Sequence, residues 1–201
     1  LKLRTFLIIS FTMILTACSS QNVDKDKISA SEPETEELNA LEEISKVCLE
    51  NDIETCRKTY NEKSDQIDEE FSEGKETIGK YLNVHKVLTS SKTAEEKLKG
   101  IESDMTYIKN KGYYTLAKFN RKLGNNYYAD YLETVIQPKA QIYNSKKYGV
   151  GMEKMDLILS IGYPNDINKT TTSNNVSEQW VYDNYDIYIY LDNGVVTSFQ
   201  N

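Results

Sequence analysis

The stretch Val176-Ser177-Glu178-Gln179-Trp180-Val181-Tyr182-Asp183-Asn184-Tyr185-Asp186-Ile187-Tyr188-Ile189-Tyr190-Leu191 decides the fold. β-Branched and aromatic residues alternate with polar ones, and Asp183-Asn184 interrupts the run midway, which is the pattern of two strands joined by a hairpin turn. With the turn centred on Asn184-Tyr185, Trp180, Tyr182, Ile187, Ile189 and Leu191 share one face, while Val181, Tyr188 and Tyr190 share the other. Successive side chains of a strand point to opposite faces, so the two sets separate cleanly. The first set is the more apolar and is expected to pack on a helix. Further out, Asn174-Asn175 and Asp192-Asn193-Gly194 have turn chemistry, so strands over 166–172 and 195–199 are predicted to flank those over 176–182 and 187–191. The expected sheet is a four-stranded antiparallel meander.

Upstream the period changes. Met152, Met155, Ile158 and Leu159 have helical spacing over 151–161, and Gly162-Tyr163-Pro164 stops that helix, glycine by taking a left-handed exit and proline by refusing continuation. Between Leu38 and about Asn144 the apolar residues recur at helical intervals. Leu38, Leu41, Ile44 and Leu49 form one stripe; Ile53, Cys56 and Tyr60 form a second after Asn51-Asp52, where Asp52 is a candidate N-cap. Ile78, Tyr81, Leu82, Val84 and Leu88 predict a third helix. Thr93-Ala94-Glu95-Glu96 has capping-box spacing ahead of Leu98, Ile101, Met105 and Ile108, with Gly112 as the stop. A last helix is predicted from about Asn126, carrying Tyr128, Tyr131, Leu132, Val135 and Ile136 as far as Pro138. The fold class is therefore α+β, with a helical domain over 38–145 and a small α+β domain over 146–201.

Cys48 and Cys56 are too far apart for a bridge along one straight helix, where a rise of 1.5 Å per residue would separate their Cα atoms by about 12 Å. A disulfide needs roughly 4.4 to 6.8 Å, and a turn at Asn51-Asp52 would fold the arms together. The run Cys48 to Cys56 resembles the helix-turn-helix disulfide of cysteine-rich bacterial repeat proteins of the tetratricopeptide-like class. An even pair of cysteines remains once Cys18 is assigned below, so a structural disulfide is expected in an oxidising compartment. The acids Glu50, Asp52 and Glu54 disfavour a reactive thiolate there.

At the other end, Lys2 and Arg4 precede an apolar run from Phe6 to Leu15, the layout of a signal peptide and too short to span a bilayer comfortably. Leu15-Thr16-Ala17-Cys18 resembles the lipobox of bacterial lipoproteins. That resemblance implies removal of residues 1–17 and acylation of Cys18, with palmitate among the chains, and Ser19 in place of an aspartate points to the outer membrane, facing the periplasm. Residues 18–37 then read as a lipidated cysteine and tether, because Ser, Asp, Glu and Lys dominate and bury too little to offset ordering entropy. The formal charge of −7 disfavours binding to nucleic acid, which is held by Lys and Arg, and an anionic membrane face would repel the chain as a whole, leaving lipid as the expected anchor.

Chemistry-bearing motifs are sparse. His85, the single histidine, has no sequence partner that spells a metal site and is expected as a surface or half-buried helical residue. Nine scattered glycines form no phosphate loop or dinucleotide fingerprint. Acidic pairs such as Glu69-Glu70 and Glu95-Glu96 read as solvated helix faces. No catalytic residue, metal site or cofactor is assigned, and the chain is expected not to be an enzyme.

Gly151-Met152, the short helix after it, Ile161-Gly162-Tyr163-Pro164, Glu178-Gln179-Trp180-Val181-Tyr182 and Tyr190-Leu191-Asp192-Asn193-Gly194-Val195-Val196 together resemble the SmpA/OmlA lipoprotein domain. This is the fold of the BamE-like subunit of outer-membrane assembly machinery, similar in outline to β-lactamase-inhibitor repeats. The resemblance covers 148–200 and departs in the long helical region placed ahead of the domain. It implies binding to another envelope protein in outer-membrane assembly or maintenance, or alternatively inhibition or adaptation of a periplasmic enzyme. The strip Val181, Tyr188 and Tyr190 is the candidate partner surface, since tyrosine buries area with few rotors and keeps a polar handle. Two placements of the strip fit the pattern: open to a partner, or covered by the helical region.

Overall fold

The computed structural model describes residues 38–111 and 113–201, so the expected signal, Cys18 and the tether, as well as Gly112, lie outside the described residues. The helices are α1 (Ala40–Glu50), α2 (Ile53–Lys63), α3 (Ser72–Leu88), α4 (Ala94–Asn110), α5 (Tyr113–Lys122), α6 (Asn126–Tyr131), α7 (Gln137–Ile142) and α8 (Lys154–Ile161). Strands β1 (Asp166–Thr171), β2 (Val176–Tyr182), β3 (Ile187–Asp192) and β4 (Val195–Gln200) follow, paired in sequence order as an antiparallel sheet. The fold is α+β, helices first and meander last.

Local chemistry accounts for the starts of α1, α2 and α4, where Asn39, Asp52 and Thr93 cap free backbone donors. Asp52 accepts hydrogen bonds from the backbone N–H groups of Glu54 and Thr55 at 2.9 and 3.0 Å, satisfying donors that α2 cannot use itself. Thr93 and Glu96 form a reciprocal capping box at α4. The turn at Asn51-Asp52 reverses the chain and brings the Cα atoms of Cys48 and Cys56 to 4.5 Å, where the disulfide closes.

Two helical features depart from the sequence reading. The helix expected to stop at Pro138 passes through it and continues to Ile142, because Leu132–Ile136 widens into a π turn in which the Gln137 N–H donates to the Leu132 carbonyl. A proline ring clashes with the carbonyl four residues back and brings no N–H, and the wider turn accommodates both defects. The second is α5, between Gly112 and Asn126, which had no expected helix. Among the described residues its buried stripe is Tyr113, Ala117 and Asn120, too short and too polar to register as apolar periodicity.

The core is continuous. Ile44, Ile78, Ile101, Met105, Ile108, Tyr128 and Leu132 belong to the same buried cluster as Leu157, Leu159, Trp180, Ile189 and Val196. The expected boundary at Ser145-Lys146-Lys147 is a bonded joint: Asn144 N–H donates to the Leu159 carbonyl at 2.9 Å, and Lys147 N–H donates to Ser160 Oγ at 2.9 Å. Ser160 is fully buried and returns its hydroxyl proton to the Lys147 carbonyl. Helices are also tied across long sequence distances by Glu42, a buried α1 carboxylate that accepts from Tyr127 and Tyr128 N–H at 3.0 and 2.8 Å. A negative group at the N-terminus of α6 satisfies donors and complements the positive end of the helix dipole.

Candidate functional site

The sheet has one face toward α8 and one toward solvent. Trp180, Tyr182, Ile187, Ile189 and Leu191 are buried, as their shared phase requires. The opposite face is assembled by register. Val181 pairs with Tyr188, and Gln179 with Tyr190; Asp166 and Asn168 of β1 stand opposite Val181 and Gln179, and Gln200 and Ser198 of β4 stand opposite Tyr188 and Tyr190. The candidate residues Val181, Tyr188 and Tyr190 are thus brought together on this outer face. Tyr188 is 40% exposed and Val181 and Tyr190 are half-buried by their strand neighbours, so the helices leave the strip open.

Side chains on this face are fixed by a cross-strand ladder. Asn168 donates to Gln179 Oε1 at 3.0 Å, Gln179 donates to the Tyr190 hydroxyl at 3.0 Å, and that hydroxyl donates onward to Gln200 Oε1 at 3.4 Å. At one end, Asp192 accepts from Ser177 at 2.7 Å and from Asn175 at 3.2 Å. Amides and hydroxyls held in this way fix the orientation of the Tyr190 ring. The face is poor in charge, with Asp166 and Asp192 at its ends and Asn, Gln, Ser, Thr and Tyr between them, although 27% of the chain is charged.

Behind it, Glu178 is the acid on the buried face. It occupies the same strand phase as Trp180 and Tyr182, and its side chain is 5% exposed. Lys154 at the start of α8 reaches its two oxygens at 2.7 and 2.6 Å, and Trp180 Nε1 donates to it at 2.9 Å. Burial pushes this carboxyl up, but the hydrogen bonds from Lys154 and Trp180, with the charges of Lys154 and Lys169, outweigh burial and hold it below the ordinary carboxylate range. An acid in the apolar phase of a predicted strand was the sequence signal for this brace.

The remaining candidates stand apart from the sheet. Cys48 and Cys56 form the α1–α2 disulfide. His85 is half-buried on α3 with Nδ1 3.4 Å from Arg57 Nη2; burial and that guanidinium lower its pKa. Burial likewise raises the phenols of Tyr113, Tyr128 and Tyr131, whose hydroxyls find no hydrogen-bond partner among the described residues, so they stay protonated in the helical core. Among the described residues no cluster of His, Cys, Asp and Glu could hold a metal ion, and no helix is long and apolar enough to cross a membrane. No family model matches the chain, and no curated protein or solved structure matches it either.

Proposed function

We propose that this chain is a non-catalytic, lipid-anchored envelope protein whose outer sheet face docks another envelope protein, in outer-membrane assembly or maintenance. The observation that carries the reading is the open, pre-ordered strip of Val181, Tyr188 and Tyr190. An exposed tyrosine face without titrating chemistry does its work by contact area. The lipobox-like Leu15-Thr16-Ala17-Cys18 supports an anchor on Cys18, and the Cys48–Cys56 bridge suits an oxidising compartment. The resemblance of 148–200 to the SmpA/OmlA domain supports the partner class.

The test is photocrosslinking in cells from position 188, with position 58 on α2 as the control site. One protein should be captured from 188 and not from 58, and Tyr188→Ala with Tyr190→Ala should weaken function while the melting point stays nearly unchanged. Equal capture from both positions, or full function of the double variant, refutes the interface. Palmitate labelling that survives Cys18→Ala refutes the anchor separately.

A further inference from the structure

The net charge of the chain conceals a local reversal. From Met105 to Ala129 there is no aspartate or glutamate, whereas Lys109, Lys111, Lys118, Arg121 and Lys122 all fall there, in a chain of formal charge −7. The structure sorts these cations. Lys111 is paired with Glu73 at 2.5 Å, Arg121 with Asp130 and Glu133 at 2.7 and 2.6 Å, and Lys109 donates to the Tyr143 carbonyl. Lys118 and Lys122 have no ion-pair partner among the described residues and are exposed.

These two lysines lie one turn apart on α5, and beside them runs an apolar row. Phe119 is 56% exposed, and Leu123, just past the helix end, is 49% exposed; half-buried Leu116 extends the row inward. At 100° per residue, Lys118 and Lys122 occupy one flank of the solvent side of α5, and Phe119 and Leu123 occupy the next. The pairing of lysines with a large aromatic and a leucine on one exposed face is the arrangement of helices that rest in a lipid interface. Phe119, Leu123 and the two lysines lie outside the stripe that α5 buries among the described residues, Tyr113, Ala117 and Asn120, while Leu116 packs against the core.

The first described residues lie close to this face. Asn39, the N-cap of α1, donates to Asn125 Oδ1 at 2.9 Å, so the folded unit begins beside the loop that ends α5.

We propose that the exposed face of α5, formed by Lys118, Lys122, Phe119 and Leu123, docks on the headgroups of an anionic phospholipid surface, with the aromatic and leucine inserted and the lysines over the lipid charge. The proposal deepens the lipid-anchor reading by giving the tethered unit an orientation. It departs from the expectation drawn from total charge, because an adsorbing surface meets a face and not a sum. Glu70 and Glu73, both exposed, line the small cavity beside Phe119; Glu73 is paired with Lys111, which leaves Glu70 as the acid there that opposes docking.

The folded unit 38–201, which contains the whole described core, makes the test independent of acylation. It is mixed with vesicles of phosphatidylethanolamine with about one third phosphatidylglycerol, and with vesicles of phosphatidylcholine alone. Binding is expected only to the anionic vesicles and should fall steeply as salt shortens the screening length. Lys118→Gln with Lys122→Gln should weaken it by about twenty-five-fold, each lysine near such a surface counting for about fivefold. Glu70→Gln should strengthen it. Phe119→Trp should be quenched by brominated acyl chains while Trp180, 2% exposed, is not, an outcome that reads insertion directly. Equal binding to both vesicle types, binding unaffected by the lysine changes, or a dimer formed through this face in the absence of lipid would overturn the proposal. If Cys18 is unlabelled by palmitate yet these results hold, the anchor fails and the docking face stands.

Discussion

Glu178→Gln isolates the brace that holds the sheet against α8. The glutamate carries its charge with 5% of its side chain exposed, accepts from Trp180 Nε1 at 2.9 Å, and meets Lys154 at 2.6 Å. A hydrogen bond to a charged group contributes about 1.5–3 kcal/mol, and glutamine keeps one acceptor oxygen while losing the charge. Lys154 is 39% exposed and can turn to water, so the pair is discounted and the expected loss is about 2 kcal/mol. For a unit of this size that corresponds to a fall of about 4–8 °C in Tm.

The pH dependence is the sharper part of the prediction. The folded-state pKa lies below the ordinary value of 4.5, so the folded protein binds this proton less readily than the unfolded chain does. The stabilisation is therefore fully present above the unfolded pKa and is lost as pH falls through the lowered folded value. Urea unfolding of 38–201 and its Glu178→Gln variant, followed by circular dichroism from neutral to strongly acidic pH, should show the gap between them closing on acidification. Lys154→Met should remove part of the same gap, and the double variant should show coupling. A gap equal at neutral and acidic pH, or a glutamine variant within about 0.5 kcal/mol of the parent throughout, refutes the assignment of a buried carboxylate brace.

Reduction or Cys48→Ser should lower stability by about 2–3 kcal/mol, the entropy of a short closed loop, and thiol labelling of the native protein should be nil until a reductant is added; rapid labelling without one counts against the bridge. Trp180 is the single tryptophan and sits in the sheet, whereas the far-ultraviolet signal is dominated by helices. Because the core is continuous through the joint at Ser160, thermal unfolding of 38–201 by tryptophan emission and by circular dichroism should superimpose, and two separated transitions would show that 38–145 and 146–201 fold as independent domains.

The sheet was the most legible part of the sequence because its signals are local and redundant. Period-two alternation fixed which residues of 176–182 and 187–191 face the core, and Asn-rich and Gly-containing turns fixed where each strand ends, so the Val181–Tyr188 pairing follows from sequence alone. The caps at Asp52 and Thr93 were equally readable, since each acts within three residues of itself. Legibility failed where the deciding feature leaves no apolar period or capping residue in the sequence. Pro138 looks like a stop unless the π turn before it is known, and α5 hides because its inner stripe includes Asn120, whose side chain is satisfied by the Leu116 carbonyl and by Asn125. The outer face was half legible: the three residues of the strip were assignable by phase, but the ladder from Asn168 to Gln200 depends on the register of strands at both edges.

The joint between helices and sheet bears on how such a face would be used. Asn144 and Lys146 have φ of 55° and 58°, a left-handed conformation that costs a non-glycine residue of order 1 kcal/mol or more. The conformation persists because neighbours over-determine it: Asn144 and Lys146 N–H groups bond to the Leu159 and Ser160 carbonyls, and Ser160 Oγ bonds the flanking backbone at Lys147. A linker meant to swing would avoid strain and carry few such bonds, whereas this one spends backbone strain on a fixed angle. The outer sheet face is accordingly held in one orientation relative to α5. If α5 rests on lipid, the strip of Val181, Tyr188 and Tyr190 is offered at a set height and tilt above the surface, which suits a partner embedded in or lying along that membrane better than one diffusing freely through the periplasm.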